Sequence, residues 1–203
     1  MARHEIGVPK SAASRLSAVV RELRMAFATS LRKMAGGSDT KRWGSREALF
    51  EGWDQRTQRI AGLITAGTSV IEFGAGRMAI LRFLPATCTY TPSDLVDRGP
   101  GTIVCDLNAD ALPDIGRHEV AVFSGVLEYV NDVPRLILHL SSRVDVIIAS
   151  YAGTESYRRN RRKHGWVNDF NSEEFVHIFE MLGFRCDHRE SWQSQVIYRF
   201  EKK

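Results

Sequence analysis

Glu72 stands two residues before a pair of glycines in the run Val70-Ile71-Glu72-Phe73-Gly74-Ala75-Gly76-Arg77-Met78-Ala79. Two glycines two apart allow a tight turn and a close approach of backbone to a ligand. Gly74, Gly76 and Ala79 also satisfy the looser dinucleotide pattern G-x-G-x-x-A. A carboxylate at Glu72 is unfavourable beside a pyrophosphate. It suits a ligand that carries positive charge, an ammonium or a sulfonium. Asp94 follows 22 positions later. An ionised Asp is acceptor-only with two oxygens, which matches two vicinal ribose hydroxyls. Asp106-Leu107 pairs an acceptor for an amino group with an apolar side chain that can cover a ring. Ser124-Gly125-Val126-Leu127-Glu128-Tyr129 is a small-residue turn into a loop.

Each of these groups closes a short apolar run. Ser69–Phe73 reads as a first strand, and Thr87–Thr91 as a second ended by Pro92-Ser93-Asp94. Thr102–Cys105, Glu119–Ser124 and Val144–Ser150 follow as the third to fifth. Helical patterns separate them: residues 45–65 with Leu49, Trp53, Ile60, Leu63 and Ile64 apolar; Arg77–Leu84, stopped by Pro85; and Pro134–Leu140. Asn171-Ser172-Glu173-Glu174 starts a helix through Leu182 that Gly183 closes. Phe184–Glu190 and Gln195–Phe200 have no helix between them and should pair antiparallel. Unbroken apolar strands are buried on both faces. The expected fold is therefore α/β: an open, doubly wound, mostly parallel sheet of seven strands with helices on both faces and an antiparallel C-terminal hairpin. Ligands on such sheets sit at the carboxyl ends of the strands, where the winding reverses.

The 203 residues divide into an arm and linker, residues 1–42, and one domain, residues 43–203. The formal net charge is +4, but the arm alone holds nine Lys/Arg against three Asp/Glu. The basic balance thus belongs to the arm, which weakens a nucleic-acid reading. Leu16, Val19, Val20, Leu23, Phe27, Leu31 and Met34 fall near helical spacing, with Ser11 as a cap and Gly36-Gly37 as a stop. Arg15, Arg21, Arg24, Arg32 and Lys33 occupy much of the rest. Such a helix, over residues 11–34, packs on the domain or a second copy, as in a homodimer, or lies on a membrane surface. The arm is also Arg- and Ser-rich and poor in acids, as transit peptides are. No run reaches the ~18 apolar residues of a membrane span, and no secretory leader pattern opens the chain. Cys88, Cys105 and Cys186 form no CxxC pair, which argues for a reducing, cytoplasmic setting and no metal site.

Glu72-Phe73-Gly74-Ala75-Gly76, Asp94, Asp106-Leu107 and Ser124-Gly125-Val126-Leu127-Glu128-Tyr129, in that order, resemble the motifs of class I S-adenosylmethionine-dependent methyltransferases. The resemblance covers residues 45–203 and implies a Rossmann-like fold with S-adenosylmethionine as cofactor and S-adenosylhomocysteine as product. It implies that Glu72 and Gly74, Ala75 and Gly76 lie under the methionine part. Asp94 would hold the ribose, with Leu95 beside the adenine. Asp106 would meet the adenine amino group and Leu107 would flank the ring. Ser124, Gly125 and Val126 would line the cleft near the sulfonium. Trp53 and Arg56 are candidates for the cofactor lid or its carboxylate. Met78 stands where the family often has a third glycine, and Gly125 where some quinone-pathway relatives carry an acid.

Methyl transfer aligns a nucleophile with an already activated donor, and an oxygen or nitrogen acceptor can also need a base. Candidates are His164, Tyr129, Tyr151 and Glu128. The run Arg158-Arg159-Asn160-Arg161-Arg162-Lys163 suits an anionic acceptor such as a sugar, nucleotide-sugar or phosphorylated metabolite, or else forms a solvated helix face. Arg158, Arg159 and Arg162, with Trp166 and Asn168, are the candidate acceptor contacts. The expected activity is methylation of a small molecule, at oxygen rather than nitrogen. Two rivals stand beside it. One is a non-catalytic accessory protein, since Asp106-Leu107-Asn108 and Phe123–Tyr129 are also similar to MetW-type proteins. The other is a nicotinamide-dependent oxidoreductase. No Asn/Asp-Pro-Pro-Tyr/Phe or Pro-Cys motif points to nucleic-acid methylation.

Overall fold

A computed structural model describes residues 12–45, 49–157 and 160–203. Seven strands form one sheet: β1 Ser69–Phe73, β2 Thr89–Asp94, β3 Ile103–Val104, β4 Val120–Ser124, β5 Val146–Tyr151, β6 Phe184–Trp192 and β7 Gln195–Lys202. Their order is β3-β2-β1-β4-β5-β7-β6. The first five run parallel, while β7 pairs antiparallel with both β5 and β6. The chain winds outward from β1 to β3, then returns to β4 on the other side. The winding therefore reverses between β1 and β4, the place where open α/β sheets bind ligands.

Side chains alternate between the faces because the strand period is two. Ile71, Phe73, Ala121, Phe123, Ile147 and Ala149 enter one core with α4 (Val133–Leu140) and α5 (Ser172–Met181). Val70, Val120, Val122 and Ile148 enter the other core with Ile60 and Ala61 of α3 (Asp54–Ala61). The arm forms α1 (Ala12–Met34) and the single turn α2 (Thr40–Gly44).

Several elements differ from the expectation, each for a local reason. The helix expected over 45–65 is a 3-10 turn, Glu51–Trp53, leading into α3, which ends at Gly62. Residues 46–48 lie outside the described residues. The helix expected over Arg77–Leu84 is only a 3-10 turn, Ala79–Arg82, because Met78 takes a left-handed conformation at φ 53° and Pro85 follows closely. Strand β2 runs on through Pro92 to Asp94. Its outer neighbour β3 pairs only at Ser93 and Asp94, so the missing N–H of Pro92 breaks no ladder bond on that side.

Helix α5 holds its expected start. Asn171 accepts from the backbone N–H groups of Glu173 and Glu174, and the Glu174 side chain accepts from Asn171 N. Two otherwise orphaned donor sets are satisfied at once. Asn171→Ala is expected to lower the unfolding free energy by about 1 kcal/mol. Urea denaturation checks this, with an unchanged midpoint as the contrary result.

Candidate functional site

A cleft of about 390 Å³ opens at the carboxyl ends of β1, β2 and β4. Glu72, near the tip of β1, is 3% exposed, and its Oε2 accepts from Tyr90 Oη at 2.6 Å. Burial pushes its carboxyl up to about 8, the Tyr90 bond opposes this, and nearby Asp94 adds to it. The same burial, with Glu72 close by, drives the Tyr90 phenol upward.

The chain then turns at Gly74, where φ is +69° and an added Cβ would lie 2.6 Å from Val126 Cγ2. Only glycine meets both demands. The turn folds towards β2: Ala75 N donates to Ser93 O, and Gly76 N donates to Asp94 Oδ2 at 2.8 Å. Asp94 Oδ1 accepts from Leu95 N at 2.7 Å and from Arg98 Nη2 at 3.2 Å. Arg98 Nε lies 3.1 Å from the second oxygen, and both side chains are 6% exposed. Arg98 also donates to the backbone oxygen of Trp43 in α2.

At the third tip, Cys105 and Leu107 line the cleft, and the Asp106 carboxylate turns to the arm. It accepts from Ser38 Oγ at 2.6 Å and from Asn108 N at 2.9 Å. At the fourth, Ser124, Gly125 and Val126 line the wall. Arg56 donates to Ser124 Oγ and to Ser124 O, both at 3.0 Å, and to Gln195 Oε1 at 2.8 Å. A Cβ on Gly125, whose φ is +68°, would fall 2.5 Å from Arg56 Nη1. Trp53 lies beside this guanidinium, its ring centre 5.6 Å from Arg56 Cζ. Leu95 also lines the cleft.

One side of the cleft is aromatic. Trp43 meets Tyr129 edge-on at 4.9 Å, and Tyr157 meets Trp166 edge-on at 5.1 Å. His164 lies tilted against Trp166 at 4.8 Å. Its Nε2 is buried with no hydrogen-bond partner among the described residues. Burial, then the charges of Lys163 and Arg42, lower the His164 pKa and favour the neutral ring. Tyr129 Oη accepts from Trp166 Nε1, and burial pushes its phenol up to about 12, so it is no base near neutral pH.

Besides Tyr129 as a base, four sequence expectations need correction. Tyr151 is fully buried away from the cleft. Its hydroxyl donates to Asn168 Oδ1 and accepts from Arg161 Nη2 and Phe170 N. Asn168 is likewise internal, and donates to Leu127 O and Val130 O to pin the loop after β4. Arg162 is engaged with Asp169 and with Trp166 O rather than facing a ligand. Glu128 is fully buried, accepting from Ala152 N and Gln195 Nε2, and burial raises its pKa. Arg158 and Arg159 lie outside the described residues. Arg161, from the same run, is 4% exposed and donates to Ala152 O and Asn168 O.

The expectation also missed cleft residues: Ser38 and Arg42 from the arm, Trp43 just after it, Arg98 after β2, and Trp192 to Gln195 from the β6–β7 turn. Arg98 alone left a local signal, since Asp94 and Arg98 are four apart across a turn. The others are brought in by tertiary packing.

A family model described as a methyltransferase domain matches residues 45–189. A search of curated proteins found no match. Among solved structures, the fold is similar to a protein from Nostoc punctiforme provisionally assigned as an O-methyltransferase. That match has 12% identity and a TM-score of 0.66, over 90% of this chain and 71% of that one. It is also similar to the mitomycin 7-O-methyltransferase, at 13% identity and TM-score 0.63, over 91% of this chain and 68% of that one. A third is the magnesium protoporphyrin IX methyltransferase from Synechocystis with bound S-adenosylmethionine. There the values are 15% and 0.56, over 75% of this chain and 80% of that one. At these identities the likeness concerns the fold.

Glu72 gives a pH signature. Folded, it holds its proton up to about pH 8; unfolded, it releases it near the ordinary value of 4.5. Its contribution to stability is complete below the lower value and is lost as pH rises through the upper one. The melting temperature of the wild type is expected to carry a falling component across this window. Glu72→Gln, which mimics the protonated acid, should lack it. A gap between the two proteins that is the same at every pH would contradict a protonated Glu72.

Proposed function

The chain belongs to the methyltransferase domain family as an S-adenosylmethionine-dependent enzyme, and we propose that it methylates a hydroxyl on a small, planar, largely apolar acceptor. The nicotinamide and non-catalytic readings give way to this membership. What carries the acceptor reading is the aromatic side of the cleft, Trp43, Tyr129, Tyr157 and Trp166, set around an unpartnered His164 nitrogen.

The residues present fit the cofactor. Buried acids at two neighbouring strand tips suit a ligand with an ammonium and a sulfonium. The backbone at Gly74 and Gly76 approaches closely where a side chain would fill the space. Glu72 would face the methionine amino group, with Gly74, Ala75 and Gly76 under that part of the ligand. Asp94 would accept from the ribose hydroxyls, with Arg98 held alongside it. Leu95 and Leu107 would flank the adenine, and Asp106 would take its amino group in place of Ser38. Ser124, Gly125 and Val126 would border the sulfonium. Arg56 backs this wall and fixes it through Ser124. When bound, the cofactor supplies a methyl group already activated for displacement.

The chain's own work is then positioning, exclusion of water and proton transfer. The aromatic side chains hold the acceptor ring and keep water out. His164 Nε2, neutral because burial and two nearby cations disfavour its charged form, accepts the hydroxyl proton. Arg161 and Arg162 are both engaged within the fold and lend no support to an anionic acceptor. The similar mitomycin 7-O-methyltransferase is named for methylation at oxygen, which agrees with the preference for a hydroxyl.

The test is labelled-methyl transfer to two panels, hydroxylated aromatic compounds and phosphorylated or nucleotide-linked sugars. Label is expected in the aromatic panel; label confined to the sugars would overturn the acceptor reading. Asp94→Ala is expected to weaken S-adenosylhomocysteine binding by more than about tenfold, since bonds to charged groups contribute about 1.5–3 kcal/mol each. Calorimetry reads this, and an unchanged affinity removes Asp94 from the ribose. His164→Gln is expected to lower kcat by on the order of 10²-fold while cofactor affinity stays constant. Unchanged kcat would release His164 from the role of base.

A further inference from the structure

Helix α1 is inverted relative to an ordinary surface helix. Its inward face is built of Ala18, Met25, Ala26, Ala28 and Thr29, and it packs on the turn Arg161–His164. Apart from Met25, its large apolar side chains point the other way. Leu16 is 67% exposed, Leu23 65%, Phe27 68% and Met34 84%, with Val20 and Leu31 also exposed. At 3.6 residues per turn these positions form one continuous stripe directed away from the domain. Arg21 and Arg24 border the stripe on one side, both exposed and without an ion pair among the described residues. Lys33 borders it on the other, 3.7 Å from Asp169 and still half exposed.

We propose that α1 docks this stripe on an anionic lipid surface, lying flat with Arg21, Arg24 and Lys33 at the level of the lipid phosphates. The charge pattern selects this occupant. The helix holds five basic residues and one acid. That acid, Glu22, already lies 3.3 Å from Lys163. In a helix-to-helix contact with a second copy, Arg21 and Arg24 would find no free acid on the partner helix, since its one acid is already paired. Anionic headgroups complement the same pattern, and an apolar stripe flanked by Arg and Lys is the form of an interfacial helix. Among the described residues no helix is long and apolar enough to cross a membrane, so the contact is with the surface. Because α1 rests on the turn that carries His164, the docked helix would lie between the lipid surface and that turn. This goes beyond the acceptor reading and does not depend on it.

Co-sedimentation of the full chain with vesicles tests the proposal. Vesicles of equimolar phosphatidylcholine and phosphatidylglycerol are expected to carry the protein down, phosphatidylcholine alone much less, and high salt should release it. Phe27→Glu should abolish sedimentation while leaving S-adenosylhomocysteine binding intact, because Phe27 lies outside the core. Arg21→Ala with Arg24→Ala should weaken partitioning by on the order of 20-fold. Failure of the folded protein to bind the mixed vesicles would overturn the proposal. So would equal binding to both vesicle types. A dimer in solution that Phe27→Glu dissociates, without vesicle binding, would assign the stripe to a second copy instead.

Discussion

Two carboxylates withdrawn from water at neighbouring strand tips set the terms for everything else in the site. Glu72 and Asp94 are 3% and 5% exposed. A buried charge must be paired, hydrogen-bonded or neutralised. The chain handles the two acids differently. Glu72 has one hydroxyl partner, Tyr90, and its carboxyl is pushed up to about 8. Asp94 has two backbone N–H donors and the Arg98 guanidinium. The first is an unfilled demand for positive charge. The second is an acceptor pair held in fixed orientation. The first favours a cationic ligand over a pyrophosphate, and the second favours a pair of hydroxyls.

The turn between these acids explains the glycines. The backbone after β1 has to bend towards Asp94 within two residues, while Val126 from the loop after β4 presses on it from the opposite side. The turn Ala79–Arg82 that follows is too short to offer a strong helix dipole. Backbone N–H groups and carboxylates, rather than a helix N-terminus, therefore define this wall. The arm completes the enclosure. Ser38 donates to Asp106, Arg42 donates to His164 O, and Trp43 O accepts from Arg98. Each of the three contacts couples the arm to a residue at or beside the cleft.

The central strands were legible because a strand buried on both faces leaves an unbroken apolar run, and the acids were legible because the first three runs each end at or beside one. Glu72, Asp94 and the Ser124–Val126 turn reach one cleft as their spacing suggested. Of the run of cations after β5, Arg158 and Arg159 lie outside the described residues, and Arg162 is engaged with Asp169. Sequence gives charge but not depth, and Arg161 lies inside the fold, holding two backbone oxygens. Tyr151 and Asn168 looked available for the same reason, yet each satisfies the other in the core. Trp43 was invisible as a site residue because α2 is a single turn, placed by its contacts rather than by any periodicity of its own. The apolar positions of α1 were read correctly as a stripe, but only packing reveals that the stripe faces outward.

Proton counting on cofactor binding addresses the central claim most directly. S-adenosylmethionine is titrated calorimetrically near pH 7 in two buffers of different ionisation enthalpy. If Glu72 enters the titration protonated and ends it facing an ammonium, binding releases close to one proton, and Glu72→Gln removes that release. Tight binding with no proton exchanged in the wild type would contradict a buried, neutral Glu72 as the feature that selects a cationic ligand.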